Sequence, residues 1–173
     1  MEATQRREEI LDILRGSTQP VSASTIAGRF NVSRQIIVGD IALLRAANHA
    51  IAATPRGYIL ADATAQAGRL IKTVACRHGR DDLLRELYVI VDNGCGIIDV
   101  IVEHVVYGQI SGQLHLFSRY DADCFMEKLE KEKALPLCDL TGGVHLHTLS
   151  CPSEEAYERV LSALRKDGIL FER

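Results

Sequence analysis

An α+β fold in two unequal parts is what this sequence predicts, and three observations predict it. The first sixty residues carry three amphipathic helical segments and then a short hairpin signal. After residue 68, strand-like and helix-like patterns alternate to the end of the chain. Charge divides at the same place. Residues 1–60 hold seven Arg, no Lys and five acidic residues, a net +2, whereas residues 61–173 hold 13 basic and 18 acidic residues, a net −5.

The bulk properties narrow the class. At 173 residues and 47% hydrophobic content the chain can bury one sizeable core or two small ones. No apolar run approaches the roughly 18 residues of a membrane span, and no signal-peptide pattern is present, so a cytoplasmic protein is expected, with no membrane partner. The five cysteines are scattered and never form a C-x-x-C pair. That argues against a disulfide framework and against a zinc ribbon, and leaves buried thiols as the expected state.

The elements follow in order. "TQRREEILDILRG" places Ile10, Leu11, Ile13 and Leu14 on one side of a helix, with Thr4 as the expected cap and Gly16 as the stop. Ser22 caps a second short helix whose buried side is Ile26, Ala27 and Phe30, and Asn31 ends it. Ser33 caps a third, with Ile36, Ile37, Asp40, Ile41 and Leu44 in helical spacing. Residues 51–53 and 58–60 flank Thr54, Pro55, Arg56 and Gly57, the pattern of a β-hairpin wing.

Helix, turn, helix and wing in that order predict a winged helix-turn-helix DNA-binding domain over residues 1–60. The N-terminal end of its recognition helix enters the major groove, so Ser33, Arg34 and Gln35 are the candidates to meet base edges. Arg56 at the wing tip and Arg45 are candidates for phosphate contact.

Residues 61–68, "ADATAQAG", are small, polar and aperiodic, as a linker is. The second domain, residues 69–173, reads β-α-β-β-α-β-α-β, closing on "ILFE". This order predicts an α/β sandwich with helices on one face of a mixed or antiparallel sheet. One of its strands, in "TGGVHLHTLS", holds His145 and His147 at i and i+2, hence on one strand face about 6.6 Å apart. Two imidazoles so placed can converge on one divalent transition metal. The alternative is a pair of solvated or hydrogen-bonded strand histidines.

Four stretches, "VSRQIIVGDIALLRAANHAIAATPRGYIL", "RHGRDDLLRELYVIVDNG", "DVIVEHVVYGQI" and "PLCDLTGGVHLHTL", together resemble a family of small bacterial repressors. Its members join a winged helix to a C-terminal three-histidine (3H) domain, and the characterised ones are niacin-responsive repressors of NAD biosynthesis and niacin uptake. The resemblance spans essentially the whole chain. It implies a divalent metal, nickel, zinc, iron or manganese, held by His78, Glu86, His145 and His147. It also marks His104 as belonging near the effector or the fold, and His104 and Tyr107 are taken as candidate effector-pocket residues. Three imidazoles and a carboxylate leave positions open on a six-coordinate ion, where a pyridine carboxylate such as niacin can complete the coordination.

Two positions depart from the family pattern: Gly39 stands in the recognition helix where a longer residue is usual, and Val105 stands where proline is common. The expected protein is a homodimeric repressor that binds operator DNA, takes niacin as co-repressor and has no catalytic residues. Two other readings remain at this point. One is a regulator whose effector is the metal itself, and the other a metal-dependent hydrolase with Glu103 as base, for which no nucleophile motif or phosphate loop is present.

Overall fold

The computed structural model describes residues 2–61 and 68–172, so most of the linker expected at 61–68 lies outside the described residues. The chain divides into two compact units, Met1–Ala63 and Thr64–Arg173.

In the first unit, α1 (Ala3–Arg15), α2 (Ala23–Phe30) and α3 (Arg34–Ala46) precede the hairpin β1 (Ile51–Thr54) and β2 (Gly57–Leu60). The helices close on Ile10, Leu14, Ile26, Ile37 and Ile41, each at most 1% exposed. Each such side chain contributes roughly 1.5–3 kcal/mol relative to leaving it in water. The turn between α2 and α3 is sharp because Asn31 takes the left-handed conformation, φ 52°, and its backbone N–H returns to the Ala27 carbonyl. Ser22 and Ser33 cap α2 and α3 through the N–H groups of Thr25 and Ile36. Thr4 does not cap α1. The helix begins one residue before it, Glu2 holds the cap position without a side-chain bond, and the Thr4 hydroxyl accepts from Arg7 instead. The wing is fastened to the α1–α2 loop by paired backbone bonds between Val21 and Tyr58, 2.8 and 2.9 Å. That approach requires Gly57, where an added Cβ would lie 2.4 Å from the Val21 carbonyl.

The second unit holds β3 (Leu70–Arg77), α4 (Leu83–Asp92), β4 (Gly96–His104), β5 (Gly108–Leu116), α5 (Arg119–Lys131), β6 (Val144–Cys151) and α6 (Glu154–Lys166). The sheet is antiparallel throughout, in the order β3-β6-β4-β5. Val74, Cys76, Ile97, Leu149 and Cys151 share one core with Leu87 and Ile90 of α4, Ala122 of α5 and Val160 and Leu164 of α6. All three helices therefore cover a single face of the sheet. The "ILFE" segment forms a short bridge along the free edge of β3 rather than a full strand, with Arg77 N–H donating to Ile169 and Phe171 N–H to Ala75.

Candidate functional site

β6 points His145 and His147 inward. They alternate on the same face as Leu149 and Cys151, beneath the helices, and are 2% and 1% exposed. Opposite them, the first turn of α4 presents Glu86, with no exposed surface. His78 follows the last residue of β3, and a 3-10 turn, Arg80–Asp82, swings the chain so that the eight residues from His78 to Glu86 close on themselves. The result is a convergence on one carboxylate. His78 Nε2 lies 2.7 Å from Glu86 Oε2, His145 Nε2 lies 3.0 Å from Oε1 and 3.2 Å from Oε2, and His147 Nε2 lies 3.4 Å from Oε2. Adjacent rings meet edge to face, with centroids 4.9 Å apart.

The other nitrogen of each ring is equally constrained. Nδ1 of His78 donates to the Gly79 carbonyl at 2.6 Å, that of His145 to Gly143 at 2.9 Å, and that of His147 to Asp99 at 2.7 Å. A carbonyl oxygen only accepts, so the proton of each neutral ring resides on Nδ1 and the Nε2 lone pair faces the cluster. Gly143 is essential to this arrangement. Its φ is +91°, its carbonyl also accepts from His78 N–H at 3.4 Å, and a Cβ there would lie 2.3 Å from the His78 carbonyl oxygen. A β-bulge between Ile97 and Asp99 accompanies the Asp99 carbonyl that meets His147.

Electrostatics follow from this packing. Burial opposes the charge on Glu86, but the His147 charge, and the hydrogen bonds the three rings donate when Nε2 is protonated, outweigh it and hold the carboxyl well below its ordinary value. Burial likewise disfavours protonated His78 and His147, and Glu86 overcomes it, raising both. Three lone pairs and a carboxylate cannot face one another unless positive charge lies among them, either as protons or as a cation. Nitrogen and oxygen donors with carbonyl-supported Nδ1 groups form a set suited to a divalent transition metal.

The sequence reading placed all five cysteines outside the ligand set, with cysteine-to-serine changes expected to leave metal content intact, yet one of them lies against the cluster. Cys76, fully buried on β3, lies directly across from His145 in the strand register. Donor atoms of Cys76, Glu86 and His145 all lie within 4.8 Å of one another. Burial first, and then the Glu86 charge, push its thiol well above the ordinary value. The sequence signal is partial: "CRH" has the same i, i+2 spacing as "HLH" but does not give the strand register.

His104 and Tyr107 stand elsewhere. Val106 and Tyr107 N–H groups donate to His104 Nδ1 at 3.2 and 3.3 Å, and the two rings tilt together with centroids 5.2 Å apart. They lie at the β4–β5 hairpin, four residues beyond Val100, which pairs with His147. That is roughly 13 Å along the strand. Tyr107 is 77% exposed. Nearer the cluster, an open cleft of about 680 Å³ is lined by Arg77, His78, Gly79, Asp139, Gly142, Gly143 and Gly168.

In the first unit, Arg34 and Gln35 are exposed on the first turn of α3, as the helix-turn-helix pattern requires of base-reading positions. Ser33 spends its hydroxyl on the cap. Arg45 is engaged by the fold: its Nε donates to the Ile51 carbonyl at 2.8 Å, and its guanidinium lies 5.7 Å from the Tyr58 ring centroid. Arg56 stands in the wing turn, with its backbone N–H on Thr54 Oγ1 and its side chain 3.5 Å from Gln19 Oε1. Asp40, on the inner side of α3, is buried and accepts from Arg6 at 2.6 Å, with Arg7 at 3.6 Å. Among the described residues no helix is long and apolar enough to cross a membrane.

Comparison with known proteins agrees with this division. Residues 6–59 match the HTH domain and residues 71–173 the 3H domain. The chain is 45% identical to a probable transcription repressor NiaR of Thermotoga maritima, over 97% of this chain and 94% of that protein. It is 40% identical to the transcription repressor NadR of Bacillus subtilis, over 96% of this chain and 93% of that protein. An uncharacterized protein of Methanothermus fervidus is 24% identical over 59% of this chain and 17% of its own length. With an HTH domain and relatives named as repressors, the chain is a DNA-binding regulator rather than an enzyme. It belongs to the family of transcription repressors that join an N-terminal HTH domain to a C-terminal 3H domain.

Proposed function

We propose that this repressor controls genes of NAD biosynthesis or niacin uptake, with niacin as co-repressor and a divalent transition metal held by His78, Glu86, His145 and His147. One observation carries the metal reading: three imidazoles, each with Nδ1 fixed on a backbone carbonyl, aim Nε2 at one buried carboxylate. A bound metal would supply Lewis acidity toward a carboxylate or ring nitrogen of the effector. The protein's own part is to hold the donors dry and oriented. The glycine-rich wall of the cleft beside His78 leaves room for a flat ring, and His104 and Tyr107 at the β4–β5 hairpin are the further effector-pocket candidates.

On the DNA side, Arg34 and Gln35 reach base edges and Arg56 meets phosphate, while Ser33 and Arg45 hold α3 and the wing in place. A cytoplasmic homodimer presents two recognition helices to successive major grooves. The effector acts by binding the DNA-competent state more tightly, and by linkage the operator tightens effector binding by the same factor.

The experiment is calorimetric titration of metal-loaded protein with nicotinic acid, nicotinamide and quinolinic acid, paired with operator binding before and after chelation. Nicotinic acid should bind the metal-loaded protein and strengthen operator binding. Loss of operator binding on chelation alone, without any niacin dependence, would favour a metal sensor. No heat with any pyridine would reject the effector.

A further inference from the structure

We propose that Cys76 is a further protein ligand of the metal, bound as thiolate beside Glu86 and His145. The inference rests on the metal reading of this cluster and adds to it a sulfur donor and a choice of metal.

Three observations converge. The strand register sets Cys76 directly opposite His145, so its side chain issues on the same sheet face as the cluster. The thiol is sealed from solvent, with Cys76 0% exposed, and its sulfur shares a sphere of donor atoms within 4.8 Å with Glu86 and His145. The third observation is charge. Glu86 is the anion among the four donors implied by the family, so a divalent ion held by them keeps one positive charge in a dry interior. A thiolate brings the sum of ion and ligands to zero, which removes the cost of burying that charge.

Ligation breaks the Sγ–H bond and releases its proton to solvent, while the electron pair left on sulfur forms the bond to the metal. Nothing is oxidised or reduced. Coordination by a divalent ion is enough to deprotonate a thiol outright. The mixed sulfur, nitrogen and oxygen set then selects zinc, cobalt, nickel or iron over manganese or magnesium, which prefer oxygen.

The test uses the full chain loaded with cobalt(II). Wild type should show both the visible d–d bands of bound cobalt and the near-ultraviolet sulfur-to-cobalt charge-transfer band. Cys76→Ser should keep the d–d bands, lose the charge-transfer band and bind the ion roughly 10-fold or more weakly, at least the loss that removal of a supporting group brings. Cys138→Ser, which alters the buried thiol of the 3-10 segment Leu137–Thr141, should leave the charge-transfer band intact. X-ray absorption of the zinc-loaded wild type provides a readout that needs no variant, with sulfur expected at about 2.3 Å. A shell of nitrogen and oxygen only, or a charge-transfer band that survives Cys76→Ser, overturns the assignment while leaving the four-residue site standing. Failure of the wild type to bind cobalt or zinc overturns both.

Discussion

Asp40 and Glu86 are both buried carboxylates, one in each unit, and they are satisfied by opposite kinds of partner. Asp40 meets Arg6 and Arg7, side chains that stay charged at any physiological pH. Glu86 meets three imidazoles that can surrender a proton and offer a lone pair instead. The first arrangement is a fixed tie between α1 and α3 and has nothing to exchange. The second has the same carboxylate chemistry with exchangeable partners, and that exchangeability is what a cation would need in order to replace protons. Burial of an acid is therefore not the sign of a ligand site. The identity of its partners is.

The strongest way to separate the two is to change each acid alone. Glu86→Gln should lower metal affinity by roughly two orders of magnitude or more, since it removes a donor and not merely a supporting bond. Its binding to non-specific DNA, which needs no metal, should be intact. Equilibrium dialysis against zinc checks the first expectation, and tight stoichiometric zinc in Glu86→Gln would remove Glu86 from the site. Asp40→Ala should do the reverse. It frees Arg6 and Arg7, which are 13% and 25% exposed and can turn to water, so the loss should be moderate. About 1–3 kcal/mol of stability in the first unit is expected, with zinc binding unchanged. Denaturant unfolding of the two variants side by side would show whether the effects stay in their own units.

A pH series sharpens the comparison further. His78 and His147 titrate above their ordinary value of 6.5 in the folded protein, so in the metal-free state their contribution is full below that value and is lost as pH rises through the raised ones. Glu86 is depressed, so its contribution is present above its ordinary 4.5 and is lost as pH falls through the depressed value. Metal-free protein should therefore lose stability from neutral to alkaline pH. Metal competes with those same protons, so the rise in melting temperature on adding zinc should grow over that range. A zinc effect that shrinks as pH rises would mean the imidazoles are not the groups displaced.

The smallest effect concerns α3 itself. Gly39 is exposed, and an added Cβ would meet nothing within 4 Å. Gly39→Ala should stabilise the helix by up to about 1 kcal/mol, read from the unfolding midpoint, with no change in zinc binding.

How far the sequence could be read differs between the same two regions. The winged helix was legible because each boundary has a local cause: Ser22 and Ser33 cap, Asn31 turns and Gly57 admits Val21. Thr4 was misread because an N-cap is decided by where the backbone first turns helical, and nothing local marks that residue over Glu2. In the second unit, the i, i+2 rule gave His145 and His147 a common face but not which face. Glu86 and His78 had no local signature. Their meeting depends on a 3-10 turn and on tertiary packing of α4 over β6, so only the family resemblance named them. Cys76 was read as a buried thiol outside the ligand set, because its place opposite His145 is a matter of strand register, which no local pattern gives. His104 and Tyr107 were read as effector-pocket candidates, but their place at the β4–β5 hairpin, with Tyr107 exposed, was not legible, since strand length sets it.

The most direct measurement is the metal content of the purified double variant His145→Ala/His147→Ala against wild type, by elemental analysis after zinc loading and desalting, with circular dichroism to confirm the fold. Both rings point into the cluster and supply two of its three imidazoles. Wild type should hold one ion per chain, and the folded double variant should hold almost none. A folded double variant that still carries a stoichiometric ion would contradict the assignment of this cluster as the metal centre.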